Sequence, residues 1–363
     1  MKQAQPTEAA YWSYVEQLLI EGAHKGLPYR PPALRILTTG EGASLPEFKH
    51  ALKTALCNFS VTDLTEPQLS DYTAARGAAF GGSLGAALAL AFHAKGHKVF
   101  ASARDLSKTS SLQQAGIQCL ELDVLSAESI DAAKTKISDE TSGSIDILIN
   151  NAGGGHYMPF MHLDLQKARE LFDINVWSYL SVTQAFLPLL LRDKSVAGQE
   201  SLLVNNTSIS SVLRTPFHSA YSASKAAMAM FSEIQRIELQ PLGIRVIDLK
   251  TGSLESNFGP NRTNEIDLPA DSPYQPIKDE VTNVISGATT EAYAEDQESW
   301  AKNVVEDLLK KNPPAEIWRG GMAGTIQLTS KIETVVPTGL QDKQFQRLGG
   351  LDKLEKIMRE KEA

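Results

Sequence analysis

From Gly81 onward the chain alternates short, nearly continuous apolar runs with longer helix-forming stretches. This alternation limits the fold more than any other feature. Lys98 to Ala103, Ile117 to Val124, Ile145 to Ile149, Leu202 to Asn205 and Ile244 to Leu249 read as strands. Between them, Ser83 to Lys95, Ser126 to Ile137, Gln166 to Leu191 and Ser219 to Leu239 read as helices. A strand that is apolar along its whole length needs cover on both faces. Strands separated by helices pair in parallel, because each helix returns the chain to the same end of the sheet. The expected fold class is α/β, a doubly wound, mostly parallel sheet with helices on both faces.

That is a Rossmann-type arrangement, and composition removes the competing classes. Apolar residues make up 42% and charged residues 21%, which excludes a mostly disordered, collagen-like or disulfide-stapled chain. Lys and Arg total 35 against 43 Asp and Glu, a net charge of −8, so no bulk field draws the chain to nucleic acid. Two cysteines, Cys57 and Cys119, are too few for a disulfide framework or a four-cysteine zinc site. No apolar run reaches the ~20 residues needed to span a bilayer, and the first residues lack the pattern of a secretory signal. A cytoplasmic setting with no membrane segment is the expectation.

The chemistry-bearing motif is Tyr221-Ser-Ala-Ser-Lys225 in an Ala-rich helix. Spacing i, i+4 puts the phenol and the ammonium on one helical face. A phenol ordinarily titrates near 10, and a neighbouring ammonium favours the phenolate, which makes tyrosine usable for proton transfer near neutral pH. A second pair at this spacing, Tyr274 and Lys278, is interrupted by Pro276. Tyr221 keeps more telling company. Ser208 lies thirteen residues upstream at the end of an apolar run, Asn150-Asn151-Ala152-Gly153 follows another, and Asn175 sits in the long helix after it. Ligands of open α/β sheets bind at such strand ends.

Together these residues resemble the short-chain dehydrogenase/reductase family, over about Gly81 to Gly320. The resemblance implies a Ser–Tyr–Lys mechanism with an Asn as fourth member. Tyr221 would act as general acid in the reduction direction, Ser208 would hydrogen-bond the substrate carbonyl, and Lys225 would tune Tyr221 and hold the nicotinamide ribose. Asn175 would hold a water in a proton relay. The sequence is similar to fungal NADPH-dependent 1-acyl-dihydroxyacetone-phosphate reductase-like members, through Gly82 to Asp105 (GSLGAALALAFHAKGHKVFASARD) and YSASKAA from Tyr221. Such relatives include lipid-precursor reductases and tailoring enzymes of secondary metabolism. The implied substrate is a small-molecule ketone or the matching alcohol, and relatives are often dimers or tetramers through their long helices.

At the cofactor end, Gly82, Leu84 and Gly85 match the close of the family's glycine-rich turn, where a helix N-terminus meets a pyrophosphate. Ala103 stands where NAD-preferring members carry an acidic residue, and Arg104 follows it. A cation there suits a ribose 2′-phosphate, so NADP is the expected cofactor. Asp123, Asn151, Leu254 and Ser256 match family positions around the adenine and the nicotinamide, and Tyr221 and Lys225 would also touch the cofactor. Thr251-Gly252 stands where many members have Pro-Gly.

The upstream half of that motif departs from the family. Gly77 and Ala78 occupy the Thr-Gly place, and no β-branched run precedes them. Arg35 to Gly40 (RILTTG) looks more like a first strand and turn, about forty residues early. Ile36 to Phe80 is also similar, most closely from Asp71, to the C-terminal end of actin-like ATPases of the heat-shock chaperone type, without any phosphate loop. The expected organisation is an N-terminal extension over 1–75, read as a fusion remnant, a reductase domain over 76–320, and a polar tail over 321–363 ending in a helix, Leu351 to Glu362. A second reading stays open: a fold-retaining protein with a degraded cofactor site.

Other residues are set aside or held as pocket candidates. His93 and His97 share i, i+4 spacing without a third ligand, so no metal is expected. His156, Tyr157, Met158 and His218 are candidates for the substrate pocket. Trp318 reads as packing in the last strand, and Cys119 as a small apolar filler.

Overall fold

The computed structural model describes residues 75–78, 84–191, 200–255, 268–332 and 338–362. Seven strands form one sheet in the order β3-β2-β1-β4-β5-β6-β7, every neighbouring pair parallel. They are β1 (Ala75–Ala78), β2 (Val99–Ala103), β3 (Gln118–Glu121), β4 (Ile147–Asn150), β5 (Ser201–Asn206), β6 (Ile244–Thr251) and β7 (Glu316–Arg319). The helices are α1 (Leu84–Ala94), α2 (Ser110–Gln114), α3 (Ala127–Glu140), α4 (Leu165–Phe172), α5 (Ser178–Leu190) and α6 (Ser219–Leu239). After them come α7 (Lys278–Ser286), α8 (Gln297–Leu308), α9 (Ala323–Ile332), α10 (Thr338–Leu348) and α11 (Leu351–Glu362).

The sheet is covered as its apolar strands require. Ile147, Ile149, Leu202, Val204, Ile247 and Leu249 face α1 and α8, whose Leu88, Phe92, Trp300 and Val304 complete one core. The residues between them, Leu148, Leu203 and Val246, face α3 and α5 through Ile130, Ile137, Val182 and Phe186 in the other. Each fully buried apolar side chain of this size contributes roughly 1.5–3 kcal/mol. A slip of one residue in any strand would exchange the two cores.

Two expectations change. The central strand is present as β1; Arg35 to Gly40, the other candidate for it, lies outside the described residues. Ala75–Ala78 pairs with β2 on one side and β4 on the other. The chain divides into two units at Ser70/Asp71, and β1 begins at Ala75. The single helix expected over Gln166 to Leu191 is α4, a π-helical turn at Asp173–Trp177, and α5. The polar tail forms α9 and α10 ahead of its terminal helix. Among the described residues no helix is long and apolar enough to cross a membrane.

Candidate active site

Because all seven strands run the same way, their C-terminal ends lie along one edge of the sheet. Two Asn-Asn pairs sit there in register, Asn150-Asn151 closing β4 and Asn205-Asn206 closing β5. On one face the Asn150 amide donates to Asn205 Oδ1 and to Thr183 Oγ1, each at 2.9 Å. Asn205 donates onward to Ser232 and Gln235 of α6. On the other face Asn206 Nδ2 donates to Asn151 Oδ1 at 2.6 Å, and Thr251 Oγ1 donates to Asn206 Oδ1 at 2.6 Å. Buried amides that find partners on neighbouring strands fix those strand ends to one another.

Lys225 lies 5% exposed, one turn beyond Tyr221 in α6. Its Nζ donates to the Asn206 carbonyl at 3.0 Å and sits 5.6 Å from the Tyr179 ring centroid. Burial lowers the Lys225 ammonium to about 8, with Asp248 opposing that effect. The Tyr179 hydroxyl donates to the same carbonyl at 3.1 Å; burial, reinforced by the Tyr221 phenol, pushes its pKa above the usual tyrosine range. Two residues beyond Asn206, Ser208 is 7% exposed, and its Oγ accepts from the Ser210 amide to cap the turn Ile209–Ser211. Helix α6, which carries Tyr221 and Lys225, packs against the turn that Ser208 caps.

Asn175 is fully buried inside the π-helical turn. Such turns are rare and recur at functional sites. Its Oδ1 accepts from the Gly154 amide at 2.9 Å, and its Nδ2 donates to the Gly154 carbonyl at 3.1 Å and to Ser224 Oγ at 2.9 Å. Ser224 in turn donates to the Tyr221 carbonyl at 2.7 Å. Asn175 thus ties the loop after β4 to the first turns of α6. A Cβ on Gly153 would lie 3.0 Å from Asn175 Oδ1 and 3.6 Å from Lys225 Nζ, so a side chain there would fill the approach to both. On Gly155 it would collide with the Tyr157 ring at 2.6 Å. With no side chain at Gly155, Tyr157 packs 5.3 Å from the Tyr221 ring and 4.4 Å from that of His218.

The pocket candidates divide. Tyr157 is 2% exposed and joins the cluster of Phe217, Leu268 and Ile277 that also takes in Met158 and part of Tyr221. His156 is buried, its Nε2 has no hydrogen-bond partner among the described residues, and burial, aided by Lys167, holds the imidazole below its usual range.

The cofactor candidates lie on the same sheet edge, on either side of β1. Arg104 is exposed directly after β2, and Asp105 spends its carboxylate on the Ser107 amide and hydroxyl. Asp123, after β3, accepts from the Leu125 amide, while its own amide donates to Ser129 Oγ. Leu84 and Gly85 open α1, and Leu254 follows β6, bridged to Glu295. Gly82 and Ser256 lie outside the described residues. A mainly apolar cavity lies between β2–β4 and helices α3 and α5, lined by Leu122, Val124, Asn151, Ala152 and Val182; it does not include Tyr221 or Lys225.

The architecture and polar edge define a dinucleotide-type α/β domain, and a short chain dehydrogenase family model matches residues 77–267. The chain belongs to the short-chain dehydrogenase family of oxidoreductases, which use nicotinamide cofactors. A short-chain dehydrogenase/reductase of Pestalotiopsis microspora is 42% identical over 280 residues, 77% of this chain and 94% of that protein. The NADPH-dependent 1-acyldihydroxyacetone phosphate reductase of Schizosaccharomyces pombe is 31% identical over 265 residues, 70% of this chain and 88% of that protein. Among solved structures, a short-chain dehydrogenase from Streptomyces avermitilis aligns with a TM-score of 0.59 at 24% identity, covering 81% of this chain and 98% of its own.

Sequence reasoning missed Asn206, Ser224 and Tyr179, the partners that hold Lys225 and Asn175 in place. The repeated Asn-Asn pair was the available signal: two polar doublets ending apolar strands have to satisfy one another across the sheet.

Proposed function

We propose that this chain is an NADP-dependent carbonyl reductase that converts a ketone to a secondary alcohol, or the reverse, through Ser208, Tyr221 and Lys225. The observation that carries the reading is the buried Lys225 ammonium, one turn from Tyr221 and bonded to Asn206, the last residue of the strand that leads into Ser208. An ammonium has three protons to donate, and the described structure offers Lys225 one hydrogen-bond acceptor, the Asn206 carbonyl. It therefore suits ribose hydroxyls, and the bare Gly153 leaves the approach to it open. The nicotinamide, when bound, supplies or accepts the hydride.

In this reading Ser208 Oγ donates to the carbonyl oxygen, and the Tyr221 phenol gives its proton to that oxygen as the alcohol forms. The Lys225 charge favours the resulting phenolate. Asn175 Oδ1 and Lys225 Nζ both border the point above Gly153, and a water held between them returns the proton. Arg104 would read the 2′-phosphate, Asp123 and Asn151 would seat the adenine side, Leu254 would close over the nicotinamide, and Leu84 and Gly85 would approach the pyrophosphate; Gly82 and Ser256, outside the described residues, are assigned to these parts by the family resemblance alone. The substrate class follows the relatives, a lipid-like or secondary-metabolite ketone. The protein acts in the cytoplasm, with self-association through the long helices.

The test is NADPH binding by fluorescence enhancement and thermal stabilisation, followed by NADPH oxidation across acyl-dihydroxyacetone phosphate, aromatic polyketide ketones and simple ketones. Binding with turnover on one of these classes is expected. No stabilisation at saturating NADPH would favour the fold-retaining, non-catalytic reading.

A further inference from the structure

β6 carries a buried charge pair in the layer behind the catalytic turn. Asp248 and Lys250 lie two positions apart, on either side of Leu249, so they project from the same face of the strand. Both are nearly inaccessible, with side chains 3% and 5% exposed, and Lys250 Nζ lies 2.5 Å from Asp248 Oδ2. Removing two charges from water is costly, and their attraction recovers that cost only with good geometry and further hydrogen bonds. Those further bonds reach the turn that holds Ser208. The Thr207 hydroxyl donates to Asp248 Oδ1, and the Thr207 amide donates to the Leu249 carbonyl at 2.9 Å. On the far side of the turn, Lys250 Nζ lies 3.4 Å from Ser211 Oγ. The Lys250 ammonium also sits 5.4 Å from the Trp318 ring centroid and 3.8 Å from Glu316, both on β7.

We infer that Asp248 and Lys250 are positioning residues. They grip the Thr207–Ser211 turn from both sides and hold Ser208 Oγ at its working place. The inference rests on the proposed role of Ser208. An apolar pair would pack β6 against its neighbours as well or better, but it could not reach both hydroxyls. Loss of the grip lets the Ser208 oxygen wander, and a misplacement of about an ångström can cost roughly a hundredfold in rate.

The experiment is a paired replacement, Asp248→Leu with Lys250→Met, in the full chain, alone and in a Ser208→Ala background. It is assayed on the acid side of the Lys225 titration with the ketone of highest turnover. The double variant should melt no lower than wild type and bind NADPH unchanged, yet lose roughly tenfold or more in kcat. In the Ser208→Ala background the same replacement should cost nothing further. Amide exchange across residues 207–212 should accelerate roughly tenfold, a readout independent of any substrate. Wild-type kcat and unchanged exchange overturn the inference, as does an equal loss in both backgrounds. If the double variant fails to fold, Thr207→Val against Thr207→Ser decides, since only serine keeps the hydroxyl; equal kcat for the two overturns it. Wild-type turnover in Ser208→Ala itself overturns the reading of the site instead, and amide exchange then still reports on the grip.

Discussion

The ends of β5 and β1 lie on one edge of one sheet. The end of β5 is fastened by side chains: Asn205, Asn206, Thr207 and Ser208 are all buried and all hydrogen-bonded to neighbouring strands, helices or the turn itself. The strand β1, Ala-Arg-Gly-Ala, has no β-branched residue and nothing in its composition that favours a strand. Backbone pairing on both sides, over four residues to β2 and three to β4, defines it. One strand end is specified by its own residues, the other by its neighbours. The two should therefore fail in different ways.

The largest effect is expected from removing β1. Deleting residues 71–80 leaves the facing edges of β2 and β4 without partners. Each buried backbone group left unpaired costs about 1–3 kcal/mol, so several together match the ~5–15 kcal/mol margin of a typical domain. That variant should be insoluble. Deleting 1–70 instead should leave a soluble protein with unchanged NADPH affinity, because the chain divides at Ser70/Asp71. Insolubility of both would show that the N-terminal segment is part of the fold.

At the β5 end the expected losses are in chemistry and leave the fold intact. Tyr221→Phe should reduce kcat by about 10²–10⁴-fold and leave NADPH affinity within a few-fold in titration. Retention of a tenth of the rate would remove Tyr221 from its role. Smaller still is the cofactor contact beyond β2. Arg104→Ala should weaken NADPH by roughly ten- to a hundredfold, the worth of one charge-assisted bond, and leave NADH unaffected. Equal losses for both cofactors would place Arg104 away from the 2′-phosphate.

The smallest effect is a gain in stability. The Lys225 pKa falls from 10.5 in the unfolded chain to about 8 in the folded protein, so the fold disfavours its charged form. Below pH 8 both states hold the proton and the penalty is complete, about 3 kcal/mol. Between 8 and 10.5 the unfolded chain binds more protons, so stability rises with pH across that window. Lys225→Met removes the penalty and one hydrogen bond, but the Asn206 carbonyl keeps its bond from Tyr179. A net gain of about 2 kcal/mol is expected in urea unfolding at neutral pH, shrinking as pH rises through the window. A loss of stability at neutral pH would mean that the ammonium is better solvated than its burial implies.

The doubly wound sheet, the helix from Ser219 to Leu239 and the one-turn spacing of Tyr221 and Lys225 within it were legible in the sequence. Each depends on a residue's own chemistry and on a spacing within one element or between adjacent ones. A run such as Leu202 to Val204 has to be buried wherever it goes, and an i, i+4 pair shares a face in any α-helix. The tertiary structure decided what depends on neighbours distant in sequence. Ala75–Ala78 became a strand because β2 and β4 presented unpaired edges on both sides. Asn175 acquired its three bonds because a π-helical turn inside the expected single helix brings it to Gly154 and Ser224. Asp248 and Lys250 read as ordinary strand residues until β6 was laid beside β5, 41 residues from Thr207. Periodicity carries information about which face a residue takes. It carries none about which polar group will stand opposite, because that is fixed only when the strands come into register.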